Sequence, residues 1–489
     1  MTSYDIEIAS SERHLVRIRD FHIRPNAVTF LLGESGIGKT LIAKALYGLL
    51  DRSGLTVSIN DMEYSAYVAS PEVNTLQRNG FFVFQEPSSH FHPLLTIGEQ
   101  IREASLQETA DEREIAEHLW NGASIESLLN IYPKPFRPSG GEKQRFLLVM
   151  AFKKIKTFLR HADAKDALFI FDEPTGSLDN FYRDRFLNFL FACYRQKSFT
   201  ALIITHDYSM ITEIHRRHSD LVPKIDFTEM SNENGQQILT SFAPKTYTHW
   251  LSGQKVLSKA SNEAPELLRL ASGINIFGRR LSFHRSPDDP DEVPLILRAG
   301  EWVYLKAPSG VGKTTIAKII AGLMPAQSID LQFERKPAPA ISMRSEWKKI
   351  WGRTLTMVFQ HADEALNQQA NVADALKGLP PSLNQENVWQ HIQTMYGADI
   401  EKKFLKQKIA HLSGGQKQRL NLLRALLLNA KIVLLDEPLN GLDFQSLSTV
   451  IERLRQKSEA GTGLVVISHN EEIFDALIPK ENIYFLKSV

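Results

Sequence analysis

The sequence predicts an α/β protein made of two tandem copies of one domain, each a mostly parallel sheet core interrupted by an inserted helical subdomain. Three observations carry this expectation. Two glycine-rich loops, Gly33-Glu34-Ser35-Gly36-Ile37-Gly38-Lys39-Thr40 and Ala307-Pro308-Ser309-Gly310-Val311-Gly312-Lys313-Thr314, place their lysines 274 residues apart. Each loop sits between a short apolar run and a helical pattern, the strand–loop–helix context of a phosphate-binding turn. The same smaller motifs then follow each loop in the same order. A repeat of that length lies far beyond the roughly 20–50-residue periods of solenoids, so it marks a duplicated domain.

The elements follow in order. Val28 to Leu32 and Trp302 to Leu305 are predicted as the strands before the loops, with helices over Leu41 to Leu50 and Thr315 to Leu323. From Gln85 to Ser139, and from Gln360 to Ser413, the pattern is largely helical with few strand candidates, so both stretches are predicted as helical subdomains. The apolar runs Ala167 to Phe171 and Ala201 to Ile204, and then Ile432 to Leu435 and Leu464 to Ile467, have the continuous apolarity of buried parallel strands. The small, polar, weakly periodic stretch at 254–265 is the predicted linker between domains 1–253 and 266–489.

Bulk composition narrows the function classes. At 489 residues the chain is too long for one ordinary core, and 23% charged with 43% hydrophobic residues suits a soluble globular protein. A net charge of +1 offers no general attraction to nucleic acid or anionic lipid. Cys193 is the only cysteine, which excludes internal disulfides and cysteine-rich metal sites. No apolar run approaches the ~18–20 residues that cross a bilayer. The start of the chain has no basic segment followed by an apolar one, so a cytosolic location is expected.

Chemistry enters through the repeated motifs. The loop glycines let backbone N–H groups surround phosphates, Lys39 and Lys313 reach the terminal ones, and the Thr40 and Thr314 hydroxyls suit Mg²⁺. The helix beginning at each loop adds its positive dipole end. Asp172-Glu173 and Asp436-Glu437 end buried apolar runs, where paired carboxylates are expensive unless a metal or partner holds them. The aspartates suit Mg²⁺, and the glutamates suit activation of an attacking water. His206 and His469 follow the next strands at matching distances, 34 and 33 residues beyond the aspartates. They fit either γ-phosphate sensors or capping residues. Gln85 and Gln360 open the helical stretches, where an amide can bind Mg²⁺ or water. Ser139-Gly140-Gly141 and Ser413-Gly414-Gly415 start helices and fit an anion site or an ordinary helix cap. Asp172 lies 33 residues past Ser139 but Asp436 only 23 past Ser413. The extra residues of 146–166, including Lys153-Lys154-Ile155-Lys156, are expected to form a longer surface loop or a partner contact.

The ordered set of loop, Gln85, Ser139-Gly140-Gly141, Asp172-Glu173, Asp179 and His206 resembles the ATP-binding cassette (ABC) ATPases. The second set, with Gln360, Leu412-Ser413-Gly414-Gly415-Gln416, Asp436-Glu437, Asp443 and His469, resembles them equally. The resemblance covers nearly the whole chain and implies two tandem P-loop NTPase domains with ATP and Mg²⁺ as ligands. It also implies composite sites. Lys39, Thr40, Gln85, Asp172, Glu173 and His206 would act with Ser413 to Gln416. Lys313, Thr314, Gln360, Asp436, Glu437 and His469 would act with Ser139 to Glu142. Ala307, Pro138 and Glu142 depart from the family pattern, all at the second site, so that site is expected to be the slower. Phe283 is the candidate adenine-stacking aromatic of the second half.

Phe84-Gln85-Glu86-Pro87 and the run His92-Pro93-Leu94-Leu95-Thr96-Ile97-Gly98-Glu99-Gln100-Ile101 look like those of importers of dipeptides, oligopeptides and nickel; Tyr132-Pro133 is similar. That likeness implies a subunit on the inner face of the cell membrane, touching the bilayer only through others. Its partners would be two membrane permease subunits and a solute-binding protein, with one chain per transporter and uptake of a peptide-, nickel- or opine-type solute. Two alternatives stand beside it: a soluble double cassette acting on ribosomes or nucleic acid, and a vitamin importer with fused cassettes. The first usually has a long charged linker, zinc-binding cysteines or basic surfaces. This sequence has a short linker, one cysteine and almost no net charge.

Overall fold

The computed structural model describes all residues except 1, 12–13, 104–108, 121, 123–124, 133–137, 162–165, 177–179, 234–235, 258–262, 277, 309, 327–328, 381–382 and 489. Asp179, Ser309 and Pro133 therefore lie outside the described residues. The chain divides into two compact units, Met1–Thr248 and His249–Val489.

In the first unit, apolar strands form a sheet in the order Gln236–Ser241, Ile225–Glu233, Val28–Gly33, Thr200–Ile204, Leu168–Asp172, Phe81–Val83. All neighbours in it are parallel except the first pair, an antiparallel hairpin. Val28–Gly33 and Leu168–Asp172 are buried at every position, as strands covered on both faces must be. The second unit repeats this plan with Trp302–Lys306, Gly463–Ile467, Ile432–Asp436 and Leu355–Val358 as adjacent parallel strands. Each unit also carries a four-stranded antiparallel sheet, built around Thr2–Ser10 in the first and Glu266–Leu270 in the second. Sequence reading did not anticipate these sheets, because their strands are half-exposed and pair with partners distant along the chain. They share one apolar cluster with the loop helices Lys39–Leu46 and Lys313–Ile320, through Ile8, Val16, Ile42 and Leu46 in the first unit and Leu268, Leu297, Ile316 and Ile320 in the second.

Helices dominate the two inserted stretches, including Ile97–Glu103 and Thr109–Trp120 in the first and Gln385–Tyr396 in the second. One expectation is corrected here. The extra length at 146–160 is not a surface loop but helix: Gly140–Arg160 runs 21 residues, against 14 for its counterpart Gly414–Leu427. Phe152, Ile155 and Phe158 recur at a helical period, and all three are buried. Two of the three lysines that suggest a solvated loop, Lys153 and Lys156, are paired across to Thr109–Trp120. Lys153 is 1% exposed, and its ammonium binds Glu112 and the Ile101 carbonyl, the latter at 2.7 Å. Lys156 pairs with Glu114 and Asp111, and Arg160 reaches Asp111 at 2.6 Å.

Breaking a buried ion pair by removing one partner strands the other charge, at a cost of about 3–5 kcal/mol. Glu112 keeps 19% side-chain exposure, which softens that penalty. Lys153→Ala is therefore expected to destabilise this subdomain by about 2–3 kcal/mol, read from urea unfolding of the full chain. A shift under about 1 kcal/mol, the ordinary range of surface pairs, contradicts this account of the helix.

Candidate nucleotide site

In open α/β sheets ligands gather at the carboxyl ends of the strands. In the first unit the sheet order brings four such ends side by side. Val28–Gly33 leads into the glycine loop, Thr200–Ile204 into His206, Leu168–Asp172 ends on Asp172, and Phe81–Val83 leads into Gln85. The second unit aligns its loop, His469, Asp436 and Gln360 in the same way. Residues scattered over more than a hundred positions in each half thus share one sheet edge.

Gly33, at φ 134°, is tolerable only as glycine: a Cβ there would lie 2.3 Å from the Met230 carbonyl oxygen. Ala307, at the matching place, is not among the residues with positive φ, so its methyl group imposes no backbone strain. Gly36, Gly38, Gly310 and Gly312 all have positive φ, the left-handed backbone that such a loop needs glycine to adopt. Lys39 is 5% exposed, and its ammonium donates to the Gly33 and Glu34 carbonyls at 2.6 and 2.8 Å. Lys313 folds back likewise onto the Ala307 carbonyl, at 2.6 Å. Both ammonium groups are thus held over their own loops.

Asp172 and Asp436 are fully buried, and among the described residues neither oxygen of either carboxylate has a hydrogen-bond partner. Burial pushes both pKa values up to about 6, each rise damped by the hydroxyl of Thr40 or Thr314 nearby. Such orphaned oxygens are costly unless something binds them. A buried carboxylate beside a threonine hydroxyl is an oxygen donor set that suits Mg²⁺, which takes few protein ligands and completes its shell with water and phosphate. Among the described residues no cluster of three or more His, Cys, Asp or Glu forms a larger metal site. Gln85, exposed, and Gln360, half-buried, open the helical stretches from the neighbouring strand ends.

Glu173 and Glu437 follow at φ 47° and 50°, a left-handed conformation that non-glycine residues rarely adopt. Their N–H groups are tied to the carbonyls of Ile204 and Ile467 at 2.9 and 2.8 Å, which holds the turn. His206 Nδ1 lies 2.8 Å from Glu173 Oε1. Burial lowers the His206 pKa, but the adjacent Glu173 carboxylate, by charge and hydrogen bond, outweighs burial and raises it overall. His469 Nε2 stands 3.5 Å from Glu437 Oε1. There the carboxylate also accepts from Ser468 Oγ and the His469 N–H, at 3.1 and 3.0 Å.

Ser139 and Ser413 both cap their helices, accepting from the N–H of Glu142 and Gln416 respectively. The two caps differ chemically. Glu142 Oε2 accepts from the Ser139 N–H and hydroxyl, both at 2.7 Å, whereas the neutral Gln416 amide accepts from the Ser413 N–H at 3.0 Å. Gly140, Gly141, Gly414 and Gly415 form the first turns that these serines cap. Asp443 caps the helix Phe444–Glu459 through Ser446.

Phe283 requires correction. It is fully buried in the strand Arg279–His284 within the core of the second unit, so its ring is not available to stack on a base. Sequence reading also missed Ser468, although a hydroxyl residue precedes the histidine in both halves, Thr205-His206 and Ser468-His469.

A doubled set of phosphate loop, buried aspartate and strained glutamate on parallel strand ends defines the class: a tandem nucleotide-hydrolysing enzyme of the P-loop fold. The chain belongs to the ABC transporter family, whose model matches residues 16–176 and again 291–440, and it is an ABC ATPase. Over 485 residues it is 26% identical to the peptidoglycan transport ATP-binding protein YejF of Agrobacterium fabrum, covering 94% of this chain and 85% of that protein. Over 532 aligned positions it is 24% identical to the glutathione import ATP-binding protein GsiA of Escherichia coli O157:H7, covering 97% and 82%. Among solved structures it resembles RNase-L Inhibitor with a TM-score of 0.63 at 18% identity, covering 98% of this chain and 89% of that one. At that identity the likeness is one of fold.

Proposed function

We propose that the chain is the ATP-hydrolysing subunit of an importer for a peptide-type solute. In this reading separate permease subunits form the membrane path and a solute-binding protein delivers cargo. The observation that carries it is the likeness of almost the entire chain, through both cassettes, to proteins named for glutathione import and peptidoglycan transport. Among the described residues no helix is long and apolar enough to cross a membrane, which suits a subunit working beside permeases. In the same reading residues 254–265 join cassettes 1–253 and 266–489.

The chemistry follows from the side chains. Lys39 and Lys313 exchange their loop carbonyls for β- and γ-phosphate oxygens. Thr40, Asp172 and Gln85, and Thr314, Asp436 and Gln360, hold Mg²⁺, which when bound neutralises phosphate charge. Glu173 and Glu437 orient and deprotonate the attacking water. His206 and His469 turn to the γ-phosphate. Ser139, Gly140, Gly141 and Glu142 complete the second site, and Ser413, Gly414, Gly415 and Gln416 the first. Binding energy gathered by such closure is what a transporter converts into movement of its permease.

The test is uptake and location together. A strain lacking the gene is expected to lose accumulation of labelled di- or tripeptides, glutathione among them, with the chain found in the membrane fraction. Unchanged uptake across peptides, nickel chelates and opines, with the chain sedimenting on ribosomes, favours the soluble alternative.

A further inference from the structure

The two units hold their glutamates differently. In the first, among the described residues, the hydrogen bond to the Glu173 carboxylate comes from His206, while Thr205 Oγ1 accepts from the Asp207 N–H at 3.0 Å. In the second, Ser468 is 4% exposed, and its hydroxyl accepts from the Asn470 N–H at 3.1 Å. With its acceptor side engaged, that hydroxyl aims its proton at Glu437 Oε2, 3.1 Å away. Ser468 is itself anchored from below. Tyr304, fully buried in the loop strand Trp302–Lys306, donates its hydroxyl to the Ser468 carbonyl at 2.8 Å. The matching residue of the first unit is Phe30, stacked on Phe227 with centroids 5.1 Å apart and carrying no hydroxyl. Lys306, on the same strand, ties the following helix Glu471–Leu477 through Glu471 and Asp475, at 3.2 and 2.7 Å.

We propose that Ser468, aligned by Tyr304, is the positioning residue that sets the Glu437 carboxylate for catalysis in the second cassette. This rests on the ATPase reading and goes beyond it. A carboxylate on a strained turn has rotamer freedom that a base cannot use; two donors on Oε2 remove it and leave Oε1 on the side of His469. The His469 imidazole stands farther from Glu437, at 3.5 Å, than His206 does from Glu173, at 2.8 Å, and His206 must break that bond before either acts elsewhere. The second cassette thus holds its base through Tyr304 and Ser468, and the first through its histidine.

The test uses the full chain with Glu173→Gln, so that turnover reports the second site. Ser468→Ala is expected to lower kcat about tenfold, the loss of one hydrogen bond to a charged group. KM and the equilibrium affinity for a fluorescent ATP analogue with Mg²⁺ should stay unchanged. Ser468→Thr should restore most of the rate, and Tyr304→Phe should fall between. Without nucleotide, the melting shift caused by Ser468→Ala should shrink when Glu437 is already alanine. Unchanged kcat, an effect confined to KM, or additive melting shifts overturns the proposal. If the parent chain binds no Mg·ATP, the ATPase reading fails, and the melting cycle alone then decides whether Ser468 holds Glu437.

Discussion

Glu173→Gln is expected to cut ATP turnover at the first site by at least about a hundredfold while leaving nucleotide binding intact, so that the purified variant retains ATP. Glutamine keeps the shape, accepts the same hydrogen bond and tolerates the φ of 47° as well as glutamate does. What it lacks is basicity, and a positioned general base contributes roughly 10²–10⁴-fold. Glu437→Gln should do the same at the second site, with a smaller loss in total rate. The reason, under the proposal that Ser139 to Glu142 complete the second site, is Glu142. Its carboxylate holds the Ser139 hydroxyl at 2.7 Å, so a donor suited to the γ-phosphate is engaged and a negative charge stands beside it. The neutral Gln416 brings no such charge to the other cap. Steady-state ATPase rates and nucleotide retained after gel filtration check both points. Equal losses from the two substitutions refute the inequality; undiminished turnover in either refutes the assigned role.

Asp172→Asn and Asp436→Asn are expected to stabilise the nucleotide-free chain at neutral pH and to abolish its stabilisation by Mg·ATP. Burial raises each carboxyl from the ordinary 3.8 to about 6. The folded chain therefore holds a proton that the unfolded chain releases between about pH 4 and pH 6. Stability contributed by the protonated form is complete below that window and is lost as pH rises through it. At pH 7 each ionised carboxylate opposes folding by up to about 3 kcal/mol. An uncharged asparagine removes that penalty, less what its own unpaired amide costs. Melting midpoints of several degrees above the parent at pH 7.5, converging near pH 4.5, are the expected result. A lower midpoint for the variants at pH 7.5 contradicts it. The trade is one found at metal sites generally, where ligands that serve the ion strain the empty fold.

Much of the site was legible because its residues are local in sequence. The glycine loops, the acid pairs at strand ends and the Ser-Gly-Gly helix starts each need only a few consecutive residues, and duplication supplied the internal control. Side chains whose meaning depends on a neighbour were read less well. Lys153 looked solvated until Glu112 was found opposite it. Phe283 looked free to stack until its strand proved to be enclosed. The antiparallel sheets escaped notice because half-exposed strands carry a weak pattern, and their pairing partners are distant along the chain.

The order of motifs, the apolar strands and the turn chemistry of the loops determined a duplicated α/β phosphate-binding domain, and the resemblance of those motifs to the ABC ATPases supplied the double cassette. Those features rest on backbone requirements and periodicity, which consecutive residues encode. Tertiary structure alone decided which four strand ends adjoin, how burial lifts Asp172 and Asp436, and which hydroxyl reaches Glu437. Desolvation and hydrogen bonding act over a few ångströms of space, and only folding brings residues so far apart in the chain within that range.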